Sequence, residues 1–570
     1  MKFAVLAELF QEIENTSATK TKRDIAAEYF IKLDPEEAAQ SAYFLTGSIG
    51  PGYKNTDLGI GDEMMLDVLH RVCGCTKEKI KEESSEYEDF AEWAEANIKD
   101  TGSGLSISEV FNQVWKIQRT SGKGSYDKKI SRTKKLLQQA APKEVKYIIR
   151  LILDELRLGM GEKTLFSSLA LAFTGTKENK KLLEEKFTID PDIGELAESL
   201  AEYGTKGIKR MSISLGRPIL PMLAQRIDSF DELLKRLPQP LAAEEKYDGE
   251  RVQIHKDGEA VTAFSRRLED ISSQYPEIIE NAKTQITAEK AILDGEIIPF
   301  ENGKAGSFQK LMQRRRKYNI AEYREKIPVS VFLFDALYKN GKSMLKKSYP
   351  ERRKILEYMV SENEKLQLAQ RKVSEEITEI RGFFQNSIDK GLEGIIAKST
   401  GDDSVYQAGK RGMHWIKWKK EYSQEMQDTF DLVVIGSFYG KGRRKEAFGA
   451  LLCAAYQPEN ERFLSVTKLG SGFTDKDFEE LEHELKKNER ETKPKEIEYT
   501  QDMEPDIFYK PSLVIEVIGS EITESPSHIA GRGENTDKGL ALRFPRFIRI
   551  RPDKGPKDAT TVDEIVELKK

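Results

Sequence analysis

Hydrophobic positions in the first third of the chain recur at helical spacing. Phe3, Leu6, Phe10 and Ile13 form one stripe within residues 1–15, which predicts a mature first helix and not a signal peptide. Val145, Ile148, Ile149, Ile152 and Leu156 repeat the i, i+3, i+4, i+7 pattern, and Gly159 is expected to end that helix. Both stripes read as plain core packing. The pattern changes across residues 205–221, which reads as a linker. From about 240 to 430 short runs such as RVQIHK, AILDGEIIPF, VSVFLFDALY and EGIIAK predict strands between Gly and Asp turns, with one helical stretch over 350–390. After about 428 a third region holds DLVVIGSFYG, ALLCAAY and LVIEVIG, the short strands of a small barrel. No internal repeat is evident.

Composition narrows the class. A chain of 570 residues is expected to form two to four domains. No run of about 18 apolar residues occurs, so no membrane span is expected. Three cysteines, including a lone Cys73-x-Cys75, point to a reducing setting, and five scattered histidines argue against structural zinc. Any metal is therefore expected to be a hard ion held by carboxylates and phosphates. The net charge of −5 hides segregation: Lys116 to Lys146 hold ten basic residues against Asp127 and Glu144. Further clusters stand at Arg314-Arg315-Arg316-Lys317 and at Lys441, Arg443, Arg444 and Lys445. Each alone reads as a solvated face; three together favour a phosphate backbone as partner.

Chemistry concentrates on Glu244-Glu245-Lys246-Tyr247-Asp248-Gly249-Glu250-Arg251. A lysine two residues before an Asp-Gly turn, between acids and an arginine, is placed as a covalent nucleophile; a surface turn is the bland alternative. A P-loop is excluded, because Gly341-Lys342-Ser343 has alanine at 336 where the loop needs glycine. Nucleotide phosphates would then be held by side chains. These follow in order: Ser265-Arg266-Arg267, Leu293-Asp294-Gly295-Glu296-Ile297, Phe332-Leu333-Phe334-Asp335, Glu393 to Lys398, and Arg411 with Trp415, Lys417 and Lys419. Singly, Phe334 reads as core, Asp294-Gly295-Glu296 as a turn, and Lys417 with Lys419 as a solvated strand face.

In this order the segments resemble the motifs of the covalent nucleotidyltransferases, specifically the ATP-dependent DNA ligases of the archaeal and eukaryotic replicative type. The resemblance covers residues 244–422 and continues at Leu542-Arg543-Phe544-Pro545-Arg546. It implies an all-α N-terminal DNA-binding domain (1–210), an α+β nucleotidyltransferase (adenylation) domain (217–427) and a C-terminal β-barrel OB-fold (428–570). It also implies ATP as co-substrate, Mg²⁺, and sealing of nicked double-stranded DNA in replication, repair and recombination. Lys246 would carry AMP, oriented by Asp248. Glu244 would contact adenine with Phe334 stacked on the ring, and Arg251, Arg266 and Glu296 would hold ribose and phosphate groups. Arg411, Lys417 and Lys419 would neutralise the triphosphate, Glu296 and Glu393 would support the metal, and Arg543 and Arg546 would orient pyrophosphate. A monomer in the archaeal cytoplasm, at the nucleoid, with a sliding clamp as a further partner, completes the expectation. An RNA ligase, a capping guanylyltransferase or a non-catalytic DNA-end-binding protein are the alternatives. The helical N-terminus and the RFPRFIR ending weigh against the first two, and the intact motifs against the third.

Overall fold

Phe3, Leu6, Phe10 and Ile13 are fully buried on one face of the helix Phe3–Glu14. The computed structural model describes residues 1–569 except 17, 85, 88, 101, 103, 157, 228, 229, 302, 307–309, 312, 315–319, 420–428, 441–447, 520 and 534–537. The described chain forms two compact units, Met1–Lys417 and Trp418–Lys570.

The first unit begins with helices that run to Arg210 around one continuous apolar core. Here the second stripe departs from expectation, because its helix, Pro142–Ile152, stops before Leu156 and Gly159. Asp154 takes a left-handed conformation (φ 59°), and the Glu155 N–H returns to the Arg150 carbonyl at 2.8 Å. This closure satisfies the last turn earlier than glycine spacing suggests. Gly159 instead belongs to a repeat that the sequence reading misses. Leu58-Gly59-Ile60-Gly61 and Leu158-Gly159-Met160-Gly161 each lead into a helix, Asp62–Cys73 and Glu162–Thr174. In each, a left-handed glycine follows a leucine whose carbonyl accepts from a lysine Nζ at 2.5 Å, Lys129 in one and Lys22 in the other.

Several members of the basic segment serve the fold and are not free for phosphate. Lys146 and Arg150 are buried among Glu14, Asp89 and Glu92, Lys143 pairs with Glu8, and Arg132 donates to the Lys116 carbonyl. Lys116, Arg119, Lys123, Lys128 and Lys135 remain exposed. Arg314 is buried against Glu277 beneath Tyr275, so it cannot reach a phosphate backbone. Residues 315–317 and the cluster at 441–445 lie outside the described residues.

Two sheets follow within the same unit. One has the strand order Leu223–Arg226, Arg411–Lys419, Gly394–Ser399, Leu241–Lys246, Arg371–Ser374; the last two residues of its strand Arg411–Lys419 fall in the second unit. The other is built on Ala260–Ser265, Glu250–Asp257, Lys290–Glu301 and Val329–Lys339. The chain passes from the first sheet to the second through Tyr247, Asp248 and Gly249. Gly249 is required there: a Cβ would collide with the Ile297 carbonyl and lie 2.6 Å from Ile298 Cγ2. The second unit is strand-rich, with a curled sheet around Phe430–Tyr439, which pairs with Phe448–Gln457, Val514–Ile518 and Ile507–Tyr509.

Helices Pro35–Leu45 and Ile193–Tyr203 meet where Tyr43 covers Gly194, leaving no room for a Cβ. Gly194→Ala should therefore destabilise the first unit by about 1–3 kcal/mol, read as a lowered melting midpoint. An unchanged midpoint would contradict this packing.

Candidate active site

Alternation along Leu241–Lys246 sends Glu244 and Lys246 to one face and Glu245 and Tyr247 to the other. Glu245 accepts from Tyr247 Oη at 2.8 Å and pairs with Lys390, away from Lys246. On the first face Lys246 lies opposite Gly394, and Glu244 opposite Ile396. Glu393 donates its backbone N–H to the Lys246 carbonyl at 3.1 Å, and its carboxylate meets Lys246 Nζ in an ion pair. Asp248 is half-buried in the turn itself.

The second sheet supplies the facing groups. Glu296 stands opposite Arg251 across the pair of strands Glu250–Asp257 and Lys290–Glu301. Burial pushes the Glu296 carboxyl up to about 7, against the pull of nearby Lys246 and Arg251 and with the push of Glu393 and Asp294. Arg251 is more committed than its motif position suggests. It forms a fork on Asp294 at 3.0 and 2.6 Å and donates to the Met222 carbonyl at 2.6 Å and to Tyr406 Oη at 3.2 Å. These use four of its five N–H groups. Its guanidinium lies 5.5 Å from the Phe334 ring centre and 5.8 Å from that of Trp415. Phe334 is half-buried and makes a T-shaped contact with Trp415 at 5.9 Å between ring centres.

Several residues given no role by sequence hold this arrangement. Asp294 stands two places from Glu296 in the same motif, and only the second carboxylate was singled out. Tyr406 carries no signal in sequence; its hydroxyl donates to Asp294 at 2.8 Å. The helix Tyr349–Met359 brings Tyr349, Arg352 and Arg353 onto one face at i, i+3, i+4 spacing. Arg352 forks onto Asp335 at 2.7 and 2.9 Å, with both side chains fully buried. Lys398, the last residue of the Glu393 to Lys398 segment, is 1% exposed and pairs with Glu244 at 2.5 Å.

The remaining expected residues are less closely gathered. Arg266 is exposed just past the strand Ala260–Ser265. Lys417 and Lys419 are half-buried and follow buried Trp415 at two-residue spacing along one side of Arg411–Lys419, whereas Arg411 is exposed before an irregularity in that strand's pairing. Arg543 and Arg546 belong to the second unit, exposed on either side of Phe544, with the Arg543 guanidinium 4.8 Å from that ring's centre. Among the described residues no three His, Cys, Asp or Glu side chains gather as a metal cage. A Glu296–Glu393 pair suits a hard ion that draws its other ligands from water and phosphate.

Comparison with known proteins gives one consistent family. The model for the DNA ligase N terminus matches residues 2–170, that for the ATP dependent DNA ligase domain residues 221–419, and that for the ATP dependent DNA ligase C terminal region residues 444–554. DNA ligase 1 of Methanosarcina mazei is 49% identical over 577 residues, covering 100% of both chains. A DNA ligase of Hyperthermus butylicus is 41% identical, covering 100% of this chain and 97% of its own. The solved structure named Pmar-Lig_PreS3 covers 96% of this chain and 99% of its own at a TM-score of 0.50; at 16% identity the likeness is one of fold.

Glu296 gives a test by pH. A carboxyl raised from 4.5 to about 7 keeps its proton in the folded protein after the unfolded chain has lost it. Its contribution to stability is complete below about 4.5 and is lost as pH rises through about 7. Glu296→Gln should flatten the fall in melting midpoint between about pH 5 and about pH 8, a term of at most about 3 to 4 kcal/mol. A variant with the parent's slope would contradict the assignment.

Proposed function

This chain belongs to the ATP-dependent DNA ligase family, and we propose that Lys246 is the residue through which it passes AMP to nicked duplex DNA. The Lys246 nitrogen attacks the α-phosphorus of ATP, forming an N–P bond as the bond to the bridging oxygen breaks and pyrophosphate leaves. The 5′-phosphate at the nick then takes the AMP, breaking the N–P bond. The 3′-hydroxyl attacks the phosphorus of the DNA 5′-phosphate, loses its proton, and expels AMP as the strand is joined. One observation carries the reading: the amine stands at the crossing between two sheets, with Glu244 on its own strand face and Glu296, Glu393 and Arg251 around it.

The amine attacks only with its lone pair free, so the Lys246–Glu393 pair must open first. A hard cation on Glu393 and Glu296 suits that opening and, when bound, would offset the negative charge of the phosphates. The half-buried Phe334 ring supports adenine stacking, and Arg251, fixed by Asp294, offers one remaining N–H to ribose or phosphate. Lys417, Lys419, Arg411 and Arg266 are assigned to the phosphates, Asp248 to orienting the turn, and Arg543 and Arg546 to pyrophosphate. Such steps depend on positioning and electrostatics. The same reading has the protein act as a monomer on chromosomal DNA in the cytoplasm, with a sliding clamp as a further partner.

Incubation with α-labelled ATP and Mg²⁺ should give a covalent AMP adduct that Lys246→Ala abolishes. An adduct formed only with GTP would replace this function with a capping-type guanylyl transfer. Lys417→Ala should slow adduct formation by about 10- to 100-fold while leaving the melting midpoint within about a degree of the parent. A collapse of the midpoint would make Lys417 a structural residue.

A further inference from the structure

The carboxylate of Glu244 is 2% exposed, yet three donors converge on it. Its Oε1 accepts from Tyr349 Oη at 2.5 Å and from Arg353 Nη1 at 3.3 Å, and its Oε2 from Lys398 Nζ at 2.5 Å. The donors are themselves fixed. Lys398 Nζ sits 4.3, 4.8 and 5.0 Å from the ring centres of Trp415, Tyr349 and Phe334, a cage that suits an ammonium. Arg353 also donates to Glu357 at 2.9 Å and to the Ala369 carbonyl at 2.9 Å. Arg352, one residue earlier, bolts the helix to Asp335, the residue after Phe334.

A carboxylate has about four lone-pair positions. Three are used, two on Oε1 and one on Oε2, so one acceptor position remains, on Oε2. Tyr349, Arg353 and Lys398 all present donors to the carboxylate, so both of its oxygens are held as acceptors. A carboxylate oxygen held in this way meets the base as an acceptor. The 6-amino group of adenine donates one; a 6-oxo purine presents an acceptor there and is repelled.

We propose that Lys398 and Arg353 are positioning residues for nucleotide choice, fixing Glu244 as an acceptor-only group that admits a 6-amino purine and rejects a 6-oxo purine. This rests on the reading of Glu244 as the adenine contact. Removal of Lys398 or Arg353 frees the carboxylate to rotate, so its oxygens are no longer aimed as acceptors at the base and the preference should relax toward 6-oxo purines.

The test compares adduct formation with ATP and with ITP, which differs at position 6 by an oxygen. Folding of each variant is checked by circular dichroism. Lys398→Met and Arg353→Gln should each lower the ATP-to-ITP ratio of kcat/KM by about ten-fold or more, mainly through KM for ATP, with Lys398→Arg restoring part of the Lys398 loss. Glu244→Gln separates the two layers. If it leaves the ratio unchanged, Glu244 does not read the base and the underlying reading fails. If it collapses the ratio while folded Lys398→Met and Arg353→Gln keep it, the two cations are merely structural and the proposal is overturned. Should one of these variants not fold, the ratio in the other decides.

Discussion

Gly249 lies so close to the Ile297 carbonyl that no other residue fits, and this contact lets the chain leave one sheet and enter the next within three residues. The strand of Lys246 ends immediately before that crossing, and the strand of Arg251 begins immediately after it. Lys246 and Arg251 therefore come from different sheets although they are five residues apart. Glu296 stands one place from Ile297, so the same close approach delivers the carboxyl that faces the amine.

Charge is the second constraint. Arg352 with Asp335, Arg251 with Asp294, and Glu244 with Lys398 and Arg353 are buried groups whose removal from water is costly unless each finds a partner. Such pairs contribute little net stability compared with apolar packing; what they give is orientation. Arg352 fixes a helix against the strand that carries Phe334, and Asp294 aims Arg251 across that ring. Lys246, Glu393 and Glu296, the groups proposed to react or to hold a metal, are left in mutual tension, with Glu296 driven toward its neutral form by burial.

The helical region shows how similar residues divide between fold and surface. Lys22 and Lys129 each steady a leucine carbonyl beside a left-handed glycine, and Lys146 and Arg150 neutralise buried acids. A basic run in sequence gives no means to tell these from Lys123 or Lys128, which remain exposed. Their roles depend on which acids and carbonyls the packing of other helices brings near.

The order of motifs alone determined the family and the succession of helical, mixed and strand-rich regions, and it made Lys246 the expected nucleophile. These are local or sequential properties: periodicity, turn residues and residue type at fixed spacing. Strand alternation likewise sufficed to place Lys417 with Trp415. The early end of the helix at Ile152, the burial of Arg314, the capture of Arg251 by Asp294 and Tyr406, and the cage around Lys398 were decided only by tertiary structure. Each depends on partners from roughly 10 to more than 150 residues away, except the helix end, which turned on one residue's backbone conformation. A buried charge takes its role from whichever group shares its burial, and only the folded chain fixes that group.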